Sequence, residues 1–255
     1  MGVQMMLQGG YENAANTLKD ALTILSLMLH CRQDTPPEQV EQLLQERLQR
    51  ATTRLSQKHS KTTLLLHPVV SAVESNDFQS LKTASLRPRN DTPKLEHLSF
   101  SAVLIREPGM NGGDEESVNF DRESGIVLYN FGLACFLLAA FTNNKKKSQQ
   151  YQTIEEDETL AKKLAGFERT AHKSLLLAHS SFSKIIMACE DAADDLESVF
   201  LDTLVLSCSS QIYRVRHQLE KAQEVDEAMD SILMAIEDEY VSALIQNEVV
   251  AAAAA

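Results

Sequence analysis

The side chains that could do chemistry in this sequence are scattered, and none falls into the spacing a reaction demands. His30 stands beside Cys31, but neighbours on a helix point about 100° apart, which does not bring both onto one metal ion. His172 and His179 are seven residues apart and share a helical face, so they could supply two ligands only if a third came from elsewhere. Glu190, Asp191, Asp194 and Asp195 form an acidic turn without the ligand order of an EF-hand, and solvation or capping of a following helix accounts for them. The glycine-rich stretch at 109–113 lacks the Lys and the helix of a phosphate loop, and the serine-hydrolase and zinc-protease motifs are missing from the sequence. Cys31, Cys135, Cys189 and Cys208 are far apart and show no C-x-x-C spacing. They read as buried thiols in a reducing compartment, cytoplasmic or nuclear, with an organelle open if a targeting segment was removed. The expectation is therefore no catalysis, no cofactor and no metal.

Charge narrows the class of partner. The 255 residues carry a formal net charge of -12, which disfavours nucleic-acid phosphates as the main ligand. Between Glu190 and Glu239 the acids far outnumber Arg214, Arg216 and Lys221, so this half would steer a basic protein or peptide segment toward itself. The longest apolar stretch, Ile126 to Phe141, is interrupted by Asn130 and Gly132. It falls short of the roughly 18 to 20 apolar residues of a membrane span and reads as a buried helix. The N-terminus shows no basic region ahead of an apolar run, so no secretory signal is expected.

A packing pattern recurs where reactive groups do not. Ala14, Leu18 and Ala21 are followed by Ala171, Leu175 and Ala178 and by Ala228, Ile232 and Ala235. Offsets of four and seven share one helical face, and small residues around a branched one let a second helix approach closely. Upstream of the first copy stand Gly2, Met5, Gly9 and Tyr11, and upstream of the second the run Leu128, Tyr129, Asn130, Phe131, Gly132. Leu206, Ser210 and Tyr213 precede the third, with Ser210 where a Gly is expected and a turn several residues longer. On these residues, which cover roughly half of the chain, the sequence resembles a divergent tetratricopeptide-repeat protein with insertions.

The resemblance implies an all-α fold of antiparallel helix pairs stacked as a short solenoid, and a non-catalytic scaffold that binds a protein or peptide on its concave face. It also implies where: Val3 and Met6 in the first pair, Tyr129, Leu133 and Phe136 in the second, Gln211 and Arg214 in the third. Only Asn130 fits the lysine and asparagine set of family members that clamp a C-terminal carboxylate, so that mode is not expected. The competing readings are an enzyme or small-ligand binder with His97 or His67 at a site between insertion and groove, and subunit stacking in a larger assembly.

Those residues need elements to position them, and periodicity supplies them. The chain is expected to form one domain over 1–255, with helix pairs at about 2–31, 123–189 and 194–236 and a capping helix at about 238–248. Thr35, Pro36, Pro37 and Glu38 open an amphipathic helix over about 38–58. From about 60 to 122 the helical period fades into an insertion in which 98–105 alternates as a strand, with 62–66 or 118–120 available to pair. Loops are expected at 107–117 and, around the lysine triplet Lys145 to Lys147, at about 143–157.

Overall fold

A computed structural model describes residues 1–30, 37–57, 65–70, 99–104, 120–148, 154–189 and 195–234. Among the described residues the fold is all-α apart from one two-stranded sheet. In chain order the elements are α1 (Gly2–Leu7), α2 (Tyr11–His30), α3 (Pro37–Leu55), β1 (Leu65–Val70), β2 (Ser99–Leu104), α4 (Phe120–Ser148), α5 (Ile154–Ala188) and α6 (Leu196–Val215). A further helix, α7, occupies 219–234. The chain divides into two compact units, residues 1–71 with 93–181, and residues 72–92 with 182–255.

In the first unit α2 is the central element, packed on α1, α3 and α4. Its buried residues Tyr11, Ala14, Ala15 and Leu18 follow the predicted small-and-branched stripe, and Tyr11 meets Phe141 of α4 edge-on at 5.8 Å. The α2–α3 contact is polar instead. Asp20 is gripped by Arg47 and by Arg54, the latter at 2.8 Å, and Asn13 donates to Gln57 at 2.8 Å. Among the described residues of α3 only Ala51 is buried, and Leu44 and Leu48 lie exposed.

Helix α4 is long and apolar enough over Phe120–Asn143 to cross a membrane by length and composition, and 67% of its most apolar window is buried inside the structure. That burial is what a core helix needs. The loop expected at about 143–157 is much shorter: α4 continues through the lysine triplet to Ser148 and α5 begins at Ile154. Lysines are good helix formers, so charge alone does not end a helix. The strand over 98–105 appears as β2, and its partner β1 runs parallel in the register Leu65 to Ser99 through Val70 to Leu104.

The close-approach face is made twice in the same way. A Cβ built on Gly2 would lie 2.7 Å from Leu18 Cγ, and one on Gly132 would lie 3.0 Å from Leu175 Cγ and 3.1 Å from the Ala171 carbonyl oxygen. In each pair a glycine of the first helix, α1 or α4, accepts the central leucine of the recurring pattern. Ala14, Ala171 and Ala178 are buried beside it.

The second unit corrects the third copy. Ala228 is exposed, and Ala235 lies outside the described residues. The buried stripe of α7 is Ala222, Asp226 and Met229. The long turn is not there either, because α6 and α7 are joined as α1 and α2 are. Gly9 and His217 both have left-handed backbones, at φ 80° and 57°. The amides of Gly9 and Gly10 donate to the carbonyls of Met6 and Met5, and those of His217 and Gln218 donate to Arg214 and Tyr213. Ala14 and Ala222 then begin their helices by donating to Gly10 and Gln218. Asp226 therefore stands where the first pair has Leu18, and Ser210 where it has Gly2. Ser210 Oγ donates to Asp226 at 2.6 Å, a polar contact replacing an apolar one. At the other end of α6, Asp195 caps the helix by accepting from the Ser198 amide at 3.0 Å. The expected capping helix at 238–248 lies outside the described residues, as do the 107–117 loop and Cys31.

Candidate functional site

Helix α4 carries three of the predicted anchors on successive turns, and the structure turns all three inward. Tyr129, Leu133 and Phe136 are buried, as are Val3 and Met6 of α1. What covers the α4 residues is the insertion. Phe100 of β2 packs against Phe136 with ring centroids 5.6 Å apart and the rings tilted by 60°, and the Tyr129 hydroxyl donates to the Ser101 carbonyl at 2.6 Å. Beside it, Asn130 Oδ1 accepts from the Val103 amide at 3.0 Å and Nδ2 donates to the Val103 carbonyl at 2.7 Å. Alternate residues of a strand present their backbone groups to the same side. Ser101 and Val103 thus face α4, which leaves the even-numbered residues of β2 to pair with β1. Asn130 acts as a one-residue strand that closes the outer edge of the sheet.

These contacts correct the expected anchor surface. Val3, Met6, Tyr129, Leu133 and Phe136 are core, and the clamp-like Asn130 is consumed by backbone of its own chain. Gln211 and Arg214 lie in the other unit, half-buried on α6. Arg214 is paired with Asp226, their side chains only 16% and 12% exposed, and Gln211 donates weakly to Ser207 Oγ at 3.4 Å. Arg214 is thereby a structural cation, and Asp226 is a buried partner rather than a steering charge.

The titratable groups resolve in the same direction. Burial pushes the Cys135 and Cys208 thiols up to about 12, in the case of Cys135 against the pull of the Lys19 ammonium. Neither is a thiolate near neutrality, so neither is a nucleophile there. Burial also raises Glu123 and Tyr213. No group of three or more His, Cys, Asp and Glu side chains that could hold a metal occurs among the described residues. His67 lies on β1 and His97 outside the described residues. Two surface depressions of about 370 and 380 Å³ are lined by 217–221 and by Glu46, Gln49, Arg50, Thr53 and Arg54. Each is built from one short stretch of chain and is open to solvent, unlike the enclosed, convergent pocket of a small-ligand site.

Exposed apolar side chains among the described residues include Met187 and Met234, Leu104 of β2, and two leucine pairs on helices. Leu176 and Leu177 of α5 are 59% and 46% exposed, and Leu44 and Leu48 of α3 are 41% and 54% exposed. The helical period anticipates Leu176 and Leu177. Leu175, Leu176 and Leu177 are consecutive, so on a helix they span about 200° and cannot all face one core. Leu175 is the one that meets Gly132. Comparison with protein-family models, with curated proteins and with solved structures gives no match for this chain.

Proposed function

We propose that this chain is a non-catalytic scaffold of tetratricopeptide-like helix pairs whose task is to bind another protein. The observation that carries the reading is the pair of exposed apolar sites, Leu44 with Leu48 and Leu176 with Leu177, on helices whose other faces are spent on packing. Accessible leucines two to a site, flanked by charged residues, are the composition of a protein contact. Because β2 covers the Tyr129 and Phe136 face, the partner surface moves from the inner groove to the outer helices.

The reading is tested by placing a photo-crosslinking side chain at Leu48, at Leu176 and, as control, at the exposed Lys162, then irradiating in native extract. Discrete crosslinked proteins from Leu48 or Leu176 and none from Lys162 are expected. Equal, diffuse labelling from all three positions would refute it.

A further inference from the structure

The strip of α5 formed by Arg169, Lys173, Leu176 and Leu177 combines exposed leucines with exposed cations. Residues 169 to 181 contain no Asp or Glu, in a chain whose net charge is -12. All four side chains are exposed. Spacings of three and four residues put them on one face over successive turns, with Ser180 at the end of the strip, a length of about 17 Å. The opposite side of the same turns carries Ala171, Ser174, Leu175 and Ala178, all buried. The strip is therefore presented by a helix anchored along its back.

Resting on the scaffold reading above, we propose that this strip docks an acidic amphipathic helix of a partner protein. The two leucines form an apolar centre, and the two cations border it. A second helix matches that layout with apolar residues at i, i+3 and i+4 over the leucines and with Asp or Glu at the flanks facing Arg169 and Lys173. Charge complementarity then sets orientation and encounter rate, while burial of the leucines sets the lifetime. Two cations in an acidic chain are a poor match for an anionic membrane, where each basic residue adds only about 1 kcal/mol. They are a poor match for nucleic acid for the same reason.

The test titrates the purified full chain into a fluorescent synthetic helix of about 18 residues, the length of some five turns, with leucines on one face and glutamates beside them. A Glu-to-Lys counterpart and phosphatidylserine vesicles are run alongside, and sedimentation reports self-association. The acidic helix is expected to bind, and more weakly as salt rises. Leu176→Ser should weaken it at least tenfold, whereas Lys173→Glu should weaken it and transfer preference to the lysine counterpart. Both positions are exposed, and an unchanged helical spectrum confirms that the variants fold. Equal binding of both peptides, binding of vesicles alone, or occupation of the strip by a second copy would each overturn the proposal. If the acidic helix fails to bind while crosslinks from Leu48 or Leu176 persist, the named occupant is wrong and the scaffold reading stands.

Discussion

Replacing Gly132 by Ala should destabilise the first unit, although the same change in an exposed helix stabilises. Removing a helical glycine is worth about 0.8 to 1.0 kcal/mol in favour of Ala. At Gly132 the new methyl would lie 3.0 and 3.2 Å from Leu175 Cγ and Cδ2 and 3.1 Å from the Ala171 carbonyl oxygen. The leucine side chain can rotate away, but the carbonyl moves only with the backbone of α5. Relief therefore requires the two helices to part by a few tenths of an ångström, and overpacking of that kind costs about 1 to 3 kcal/mol. The net expectation is a loss of about 0 to 2 kcal/mol.

Gly166 supplies the control. It lies on exposed α5 with nothing within 4 Å of a built Cβ, so Gly166→Ala should gain about 1 kcal/mol. Urea unfolding followed by helical circular dichroism compares the two variants through their midpoints at constant slope. Leu175→Val in the Gly132→Ala background should recover part of the loss, with a coupling of at least about 0.5 kcal/mol between neighbours in contact. A Gly132→Ala protein as stable as Gly166→Ala would refute the close α4–α5 crossing and with it the repeated Gly-to-Leu contact.

Three further outcomes are expected. His217→Gly should gain about 0.5 to 1 kcal/mol of stability by urea unfolding, because a side chain in the left-handed region is strained, and Gly9→Ala should lose about 1 to 2 kcal/mol at the matching turn; a His217→Gly protein less stable than its parent, or a Gly9→Ala protein as stable, would sink the turn equivalence. Asn130→Leu leaves the Val103 amide and carbonyl without a partner, at about 1 to 3 kcal/mol for each group left buried, and hydrogen exchange should report faster exchange of the Val103 amide while the α2 amides stay protected. For Cys135 and Cys208 the unfolded thiols ionise in the ordinary range of a free thiol, whereas burial holds the folded ones up near about 12. Over that interval the folded state binds more protons, so stability should fall as pH rises, with both thiols contributing in the same direction. Urea midpoints between about pH 8 and 10.5 measure the decline, and the Cys135→Ala, Cys208→Ala double variant should flatten it.

The helices were legible wherever an apolar period met a cap or a turn glycine. Gly9 marked the α1–α2 turn, and the alternation through Phe100 and Ala102 marked β2. The groove residues were legible as apolar helix positions but not as exposed ones. Periodicity says which residues share a face and is silent on what covers it, and the cover here is β2, more than two dozen residues earlier in the chain. Asn130 shows the difficulty at one residue. An asparagine inside an apolar helix signals a buried hydrogen-bond partner, but only the fold shows that the partner is the backbone of Val103.

The third helix pair failed for a more specific reason. Its true register keeps Ala14 as Ala222 but replaces the other residues that made the first pair recognisable, among them Gly2 by Ser210, Gly9 by His217, Tyr11 by Leu219 and Leu18 by Asp226. Beyond that alanine, what survives is backbone: the two left-handed turn residues and the paired amide bonds back to the preceding carbonyls. An acid at a core position looks like surface in a sequence. A decoy stripe, Ala228 with Ile232 and Ala235, lay a few residues on and satisfied the apolar pattern better. The buried site instead uses Ser210 and Arg214 to hold Asp226, so its three members depend on one another and no single one carries the repeat's pattern. Ser210→Gly with Asp226→Leu would write the first pair's contact into the third, but it would also strip Arg214 of its carboxylate. A half-buried cation left without that partner costs more than the leucine contact returns unless Arg214 changes as well. The pattern was hidden because the contact changed as a set.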